Sequence, residues 1–223
     1  MRLLIDTAQV RQNVRPMDLP MLLILLFAGL GASELRALPW SNVDLQSGTV
    51  TVDRRADFRN VIGPPKSQSG FRTIPVPSVV VQALRVWKLR CPPSPGDLVF
   101  PSQKGTPIFH ANLVLGFQEP LQVAAGTCRQ RIVNGSQVVD DGGGPIMERL
   151  FGLHDFRHAA ASLWIERRVD PKRVQTWMGH HSIQVPFDIY GHLFAALDND
   201  AAIMAELEAD VMTRPEIESQ ATA

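Results

Sequence analysis

Residues 21–30 read MLLILLFAGL, a run with no charged or hydrogen-bonding side chain. No other stretch restricts the fold as tightly. A segment apolar on every side has to be buried on every side, in lipid or in the middle of a protein core. A bilayer span takes about 20 such residues, so this run is about half the required length. Arg2, Arg11 and Arg15 upstream give it a superficial likeness to a secretion signal, but Asp6 and Asp18 intrude on the basic leader. Helical spacing also continues through Ser33, Glu34, Leu35, Arg36, Ala37 and Leu38. The run is therefore read as a helix at the centre of a globular core, in a cytoplasmic protein with no membrane partner.

A chain of 223 residues, 45% of them hydrophobic, has enough material for that core, in one large domain or two small ones. The same fraction excludes a wholly disordered chain. Cys91 and Cys128 are too few for a disulfide scaffold and are read as reduced thiols. Basic and acidic side chains balance at 22 each, which argues against a protein that coats nucleic acid over its whole surface. The balance averages unlike parts. Residues 198–223 carry seven acids against Arg214 alone, so the rest of the chain is net positive. Its basic side chains gather in residues 54–72 and 149–173, where an anionic partner could be met, although solvated faces are the commoner fate of such runs.

Asp18 and Pro20 suit the start of the apolar helix, and Ser33 the cap of a short second one. Val43–Leu45, Thr49–Val52 and Phe71–Val76 read as a small three-stranded antiparallel sheet, with a loop tip at Gly63–Gly70. Ser78 starts a helix with Val79, Val80, Ala83, Leu84 and Trp87 on its inner side. Residues 112–125 read as helix, and Gly126–Pro145 as a polar, glycine-rich surface excursion. His154–Val169 is a helix with Phe156, Ala160, Leu163 and Trp164 inward. Asp170-Pro171 caps the next, which turns Val174, Trp177 and Met178 inward and stops at Gly179. Ala201–Met212 is amphipathic through Ile203, Leu207 and Val211, and residues 213–223 read as a mobile tail. The fold class is α+β, mostly α-helical with a small three-stranded antiparallel sheet.

The chemistry-bearing side chains gather at helix ends. His154, Arg157 and His158 stand at i, i+3 and i+4 on one helix face. His180 and His181 follow a helix stop, and ten residues after His180 comes Tyr190, the only tyrosine in the chain. Arginine grips phosphate as a planar fork, histidine moves protons near neutral pH, and tyrosine is an oxygen nucleophile. Together they suggest phosphoryl transfer through a phosphotyrosyl intermediate. A metal site on the histidines is the weaker reading, because the pair lacks the glutamate of an H-E-x-x-H helix.

These residues carry a resemblance to the catalytic domain of the tyrosine recombinases, the phage-integrase family. Leu153–His158 (LHDFRH) is similar to the family's H-x-x-R box. Trp177–Ile183 (WMGHHSI) followed by Asp188–Phe194 (DIYGHLF) resembles its LGH…Y box. Ala28–Trp40 (AGLGASELRALPW) resembles the first box, TGLRxSELxxLxW, and Lys66 lies on a hairpin where the family keeps a lysine. The resemblance runs over residues 15–212, after a lead-in of residues 1–14. It implies the integrase catalytic fold and site-specific cleavage and rejoining of double-stranded DNA without a cofactor or metal, on copies that self-associate on DNA, four when assembled. By position, Tyr190 attacks the scissile phosphate to leave a 3′-phosphotyrosyl link and a free 5′-hydroxyl. Arg157 holds the non-bridging oxygens. His154 handles the nucleophile's proton, His180 donates to a phosphate oxygen, Lys66 protonates the leaving 5′-oxygen, and Glu34 orients its neighbours.

The chain departs from the pattern in three places. Gly31 stands where the family has a catalytic arginine, and Pro186 interrupts the approach to Tyr190. The resemblance also begins close to Met1, so the family's N-terminal DNA-clamping domain is expected to be absent. The alternative reading follows: a catalytically impaired integrase remnant that acts as a DNA-binding or recombinase-assembly protein.

Overall fold

A computed structural model of the chain describes residues 1–182 and 184–195, and Met204. The amphipathic segment 201–212, Met204 apart, and the tail 213–223 lie outside the described residues.

The centre of the fold is the apolar run. Helix α1 (Arg2–Val10) precedes it, and α2 (Asp18–Phe27) contains most of it. Residues 18–26 are all buried. Asp18, at the start of α2, is buried too; Arg15 meets its carboxylate at 2.8 Å, which offsets the upward push of burial on its pKa without cancelling it. Helix α2 packs against α1, α4 (Ser78–Lys88) and α7 (Leu153–Glu166), so the run expected to be surrounded by protein is surrounded by protein. Among the described residues no helix is long and apolar enough to cross a membrane. The lead-in at residues 1–14 is more than a lead-in. Leu4 and Ala8 of α1 are fully buried in the core, four residues apart on one helical face.

Beyond α2 the chain turns at Gly29 (φ 59°), where a Cβ would meet the Trp164 ring at 3.0 Å. The short helix α3 (Ala32–Leu35) follows. Its N-cap is Gly31, two residues before the expected Ser33. The Glu34 carboxylate accepts the Gly31 N–H at 2.8 Å and satisfies a free helix-end amide. Strands β1 (Val43–Asp44), β2 (Thr49–Val52) and β5 (Arg72–Pro75) form the expected antiparallel sheet in the order β1-β2-β5. Val50 faces Val43 and Ile74 across the ladder, and alternation buries Val50, Val52 and Ile74. Between β2 and β5 a second hairpin, β3 (Arg55–Ala56) with β4 (Ile62–Gly63), precedes the loop that carries Lys66.

Helix α4 has no side-chain cap, and Val79 is exposed; Val80, Ala83, Leu84 and Trp87 alone form its buried face. Helices α5 (His110–Leu113) and α6 (Glu119–Ala124) are joined by a π-helical turn over Val114–Gln118. The glycine-rich excursion is partly ordered into strands. β6 (Cys128–Gln130) pairs with β9 (Met147–Arg149), and β7 (Ile132–Val133) with β8 (Ser136–Gln137). Asn134-Gly135 turns the inner hairpin with both φ positive, a turn chemistry that favours tight hairpins.

Three helices close the described fold: α7, α8 (Pro171–Met178) and α9 (Gln184–Ala195). On α7, Ala161 and Ile165 are buried where Leu163 and Trp164 were expected, a rotation of the inward stripe; both of the latter are half-buried. Asp170 caps α8 by accepting the Lys172 and Arg173 amides, and Gly179 ends it at φ 68°.

Candidate active site

The start of α7 is fixed from below. Buried Gln118 and Gln122 donate their side-chain amides to the Phe151 carbonyl at 2.7 and 2.9 Å. That anchors the chain three residues before His154, the first titratable group of the site. One helical turn on, Arg157 donates to the carbonyls of Gly29 and Met178. A single guanidinium thus ties the turn after α2 to the last residue of α8.

Glu34 completes the arrangement, and its partner is Arg72. The pair is a fork on a fork: Nη1 to Oε1 and Nη2 to Oε2, both at 2.8 Å. Arg72 also donates to the carbonyls of Gly70 and Trp177, so it ties β5 and the turn before it to α3 and the end of α8. Gly179 permits this approach. A Cβ there would meet the Ser69 carbonyl at 3.0 Å and Arg72 at 3.1 Å. Arg157 Nη1 stands 3.6 Å from Glu34 Oε2. Burial pushes the Glu34 pKa up, but the Arg72 bonds, the charges of Arg72 and Arg157 and the Gly31 amide together hold it below the usual carboxylate value.

The surface above is an open cleft of about 830 Å³. Gly31, Lys66, His154 and Arg157 line it, with Arg55 and Arg36. Lys66 is exposed on its loop. Burial, then the neighbouring His158 and Arg157, lower the His154 pKa. Arg36 serves the framework of the cleft. It is buried and committed to the carbonyls of Ile108, Ala56 and Asp57 and to Asn60, which holds the β3–β4 hairpin in place. Arg55 differs: among the described residues its buried Nε has no hydrogen-bond partner.

His180 follows the α8 stop. Its Nδ1 is buried without a partner among the described residues, and burial first, then the charges of Arg157 and Arg72, hold its pKa down to about 4. A histidine held below its unfolded value favours folding fully above about 6.5, and that contribution falls away as pH drops towards 4. The imidazole of the DNA-free protein is therefore expected to titrate near pH 4 when its Cε1–H resonance is followed by NMR. A midpoint near 6.5 would show that the arginines do not reach it.

Tyr190 does not line the cleft. Its ring is 4% exposed and packs with Ala161, Ile165, Val174 and Met178. Its hydroxyl lies 2.6 Å from His158 Nδ1. Burial raises its pKa, against the lowering charge of Arg157. Pro186 falls within α9, and its side chain is outside the described residues. Among the described residues no three His, Cys, Asp or Glu side chains come together as a metal-binding set.

Sequence reasoning overlooked two of these residues. Arg72 was visible as one basic residue among several; its alternation with Ile74 on a strand was the sign that it faces inward. His158 was placed on the right face of α7 and given no role.

Residues 1–196 match the family model described as the phage integrase family. The chain belongs to the phage integrase family. This family member is 27% identical over 177 residues to prophage integrase IntR of Escherichia coli, a match that covers 74% of this chain and 41% of that protein. It is 31% identical over 176 residues to tyrosine recombinase XerC of Xanthomonas campestris, covering 79% of this chain and 44% of that protein. The chain thus spans less than half the length of these curated relatives. Among solved structures, the Tn1549 transposon integrase in complex with transposon right end DNA is similar at TM-score 0.65 and 22% identity, over 92% of this chain and 63% of that one. XerA recombinase is similar at TM-score 0.60 and 19% identity, over 96% of this chain and 63% of that one. Both share the integrase fold with this chain.

Proposed function

We propose that this integrase-family chain cleaves and rejoins double-stranded DNA through a 3′-phosphotyrosyl link to Tyr190, on copies that assemble on the DNA, four in the complete assembly. The observation that carries the reading is the cleft, which Lys66, His154 and Arg157 line together with Glu34 of the Glu34–Arg72 pair. Arg157 binds non-bridging phosphate oxygens, Lys66 gives a proton to the leaving 5′-oxygen, His154 handles the nucleophile's proton and His180 donates to the phosphate. Glu34 keeps Arg157 in place. Fixed cations stabilise the charge that builds on the phosphate. The family match and the DNA-bound integrase neighbour support DNA as the partner.

A nicked duplex tests this, because the fragment beyond the nick diffuses away after cleavage and traps the covalent adduct. The expected result is an adduct that survives denaturation and disappears in Tyr190→Phe. An adduct that persists in Tyr190→Phe would overturn the assignment of the nucleophile. One observation favours a second reading, an impaired relative that binds DNA and joins assemblies. Gly31 stands on the cleft where the resemblance places an arginine.

A further inference from the structure

We propose that His158 is a positioning residue for Tyr190: it holds the phenol against α7 and sets how the hydroxyl is presented to the groups of the cleft. The inference rests on the reading of Tyr190 as nucleophile. The juxtaposition is specific. Helix α9 brings Tyr190 to α7, where its ring enters the small apolar cluster of Ala161, Ile165, Val174 and Met178. The cluster fixes the ring and leaves the hydroxyl one polar partner among the described residues, His158 Nδ1 at 2.6 Å. That distance is a short, well-made hydrogen bond. A buried hydroxyl without a partner is costly, so the bond decides where the ring comes to rest.

His158 is itself held. Its ring meets that of His154 edge to face, with centroids 4.6 Å apart and planes at 89°. His154 lines the cleft and Tyr190 does not, so the two histidines form a bridge from the cleft to the phenol. Arg157, between them in sequence, is the charged group nearest in effect to the phenol. Helix α8 contributes apolar Val174 and Met178 to its surroundings. With its proton on Nε2, neutral His158 accepts the phenol O–H at Nδ1; with a proton on Nδ1, in the other neutral tautomer or the doubly protonated ring, it donates to the phenol oxygen. The state of His158 therefore selects whether Tyr190 rests as a donor or an acceptor.

Tyr190 is the only tyrosine in the chain, so a 13Cζ-labelled tyrosine gives one resonance that reports it alone. In the wild type that resonance is expected at the position of a hydrogen-bonded phenol, and it is expected to shift in His158→Phe, which keeps an aromatic ring and removes the hydrogen-bonding nitrogen. His154→Gln serves as the control for the neighbouring imidazole, and the wild-type position is expected to survive it. In nicked-duplex trapping, on wild type and in the Gly31→Arg background, His158→Phe is expected to slow adduct formation about 10²-fold with unchanged DNA affinity, the size expected for a misplaced reacting group. His158→Gln, which restores a polar contact, is expected to recover most of the rate. A phenol resonance that does not move in His158→Phe, or a His158→Phe rate equal to wild type, would overturn the proposal. If neither wild type nor Gly31→Arg forms an adduct, it is the strand-cleavage reading that fails, and the resonance alone decides whether His158 holds the phenol.

Discussion

Gly31→Arg is expected to raise the rate of covalent-adduct formation on a nicked duplex by about 10²-fold or more. In-line attack by Tyr190 spreads negative charge over the non-bridging oxygens of the phosphate, and Arg157 alone answers only part of it. Removing one preorganised donor from such a site costs about 10²–10³ in rate, and a charge-stabilising arginine about 10³–10⁵. The backbone accepts the change. Gly31 has φ −71°, which any residue adopts. A Cβ there would meet Glu34 Oε2 at 3.5 Å, an ordinary contact, and would stand on the wall of the cleft that holds Lys66, His154 and Arg157. Two other guanidinia nearby are committed: Arg36 to backbone carbonyls and Asn60, Arg72 to Glu34. Gly31→Met controls for size, and Gly31→Arg with Tyr190→Phe must give no adduct. Efficient cleavage by the wild type, unchanged by Gly31→Arg, would show that a cation already serves the phosphate. Arg55, on the same cleft with its buried Nε unpartnered among the described residues, is the side chain that would then be removed next.

Arg72→Ala is expected to destabilise the fold by about 3–5 kcal/mol, the usual result of removing one partner from a buried ion pair. The Arg72 side chain is 1% exposed and Glu34 16%, so the abandoned carboxylate has little water to turn to. Arg72→Ala also strands the Gly70 and Trp177 carbonyls. The loss has a pH dependence of known sign. Glu34 is held below its unfolded value of 4.5, so its contribution is complete above that value and disappears as pH falls through the folded pKa. Without Arg72 the opposing effect, burial, dominates and Glu34 takes up a proton at higher pH. The gap between wild type and Arg72→Ala in urea unfolding is therefore expected to be widest at neutral pH and to narrow in acid. Glu34→Gln added to Arg72→Ala removes the abandoned charge and is expected to recover part of the loss. A gap under about 1 kcal/mol at neutral pH would mean that the pair contributes no more than a surface bridge does.

Much of the architecture could be read locally. Met21–Leu30 admits one environment, and the structure places it there. Asp170-Pro171 and Gly179 bound α8 because capping and left-handed turns depend on a few adjacent residues. The β1-β2-β5 sheet follows from alternating side chains and short turns. Local reading failed where two local options competed. Ser33 is a good cap in general, yet Gly31 caps α3, because Glu34 reaches back to its amide. The excursion after Gly126 has polar composition but enough backbone pairing to form strands.

The candidate site divides along the same line. Sequence alone singled out Gly31, Glu34, Lys66, His154, Arg157, His180 and Tyr190 by type and spacing, and it established that one tyrosine and no other can serve as a phenol nucleophile. Which of them face one cleft, and which turn away, depended on contacts across the chain. Arg72 meets Glu34 from 38 residues away, Arg157 meets Gly29 from 128, and the Tyr190 hydroxyl finds His158 from 32. Spacing along a helix sets which face a side chain occupies; it carries no information on what the fold brings to that face. Charge and hydrogen bonding act through space at a few ångströms, so only the packed chain could decide that Arg36 and Arg72 hold the framework, that Arg157 and Lys66 line the cleft, and that Tyr190 rests on His158.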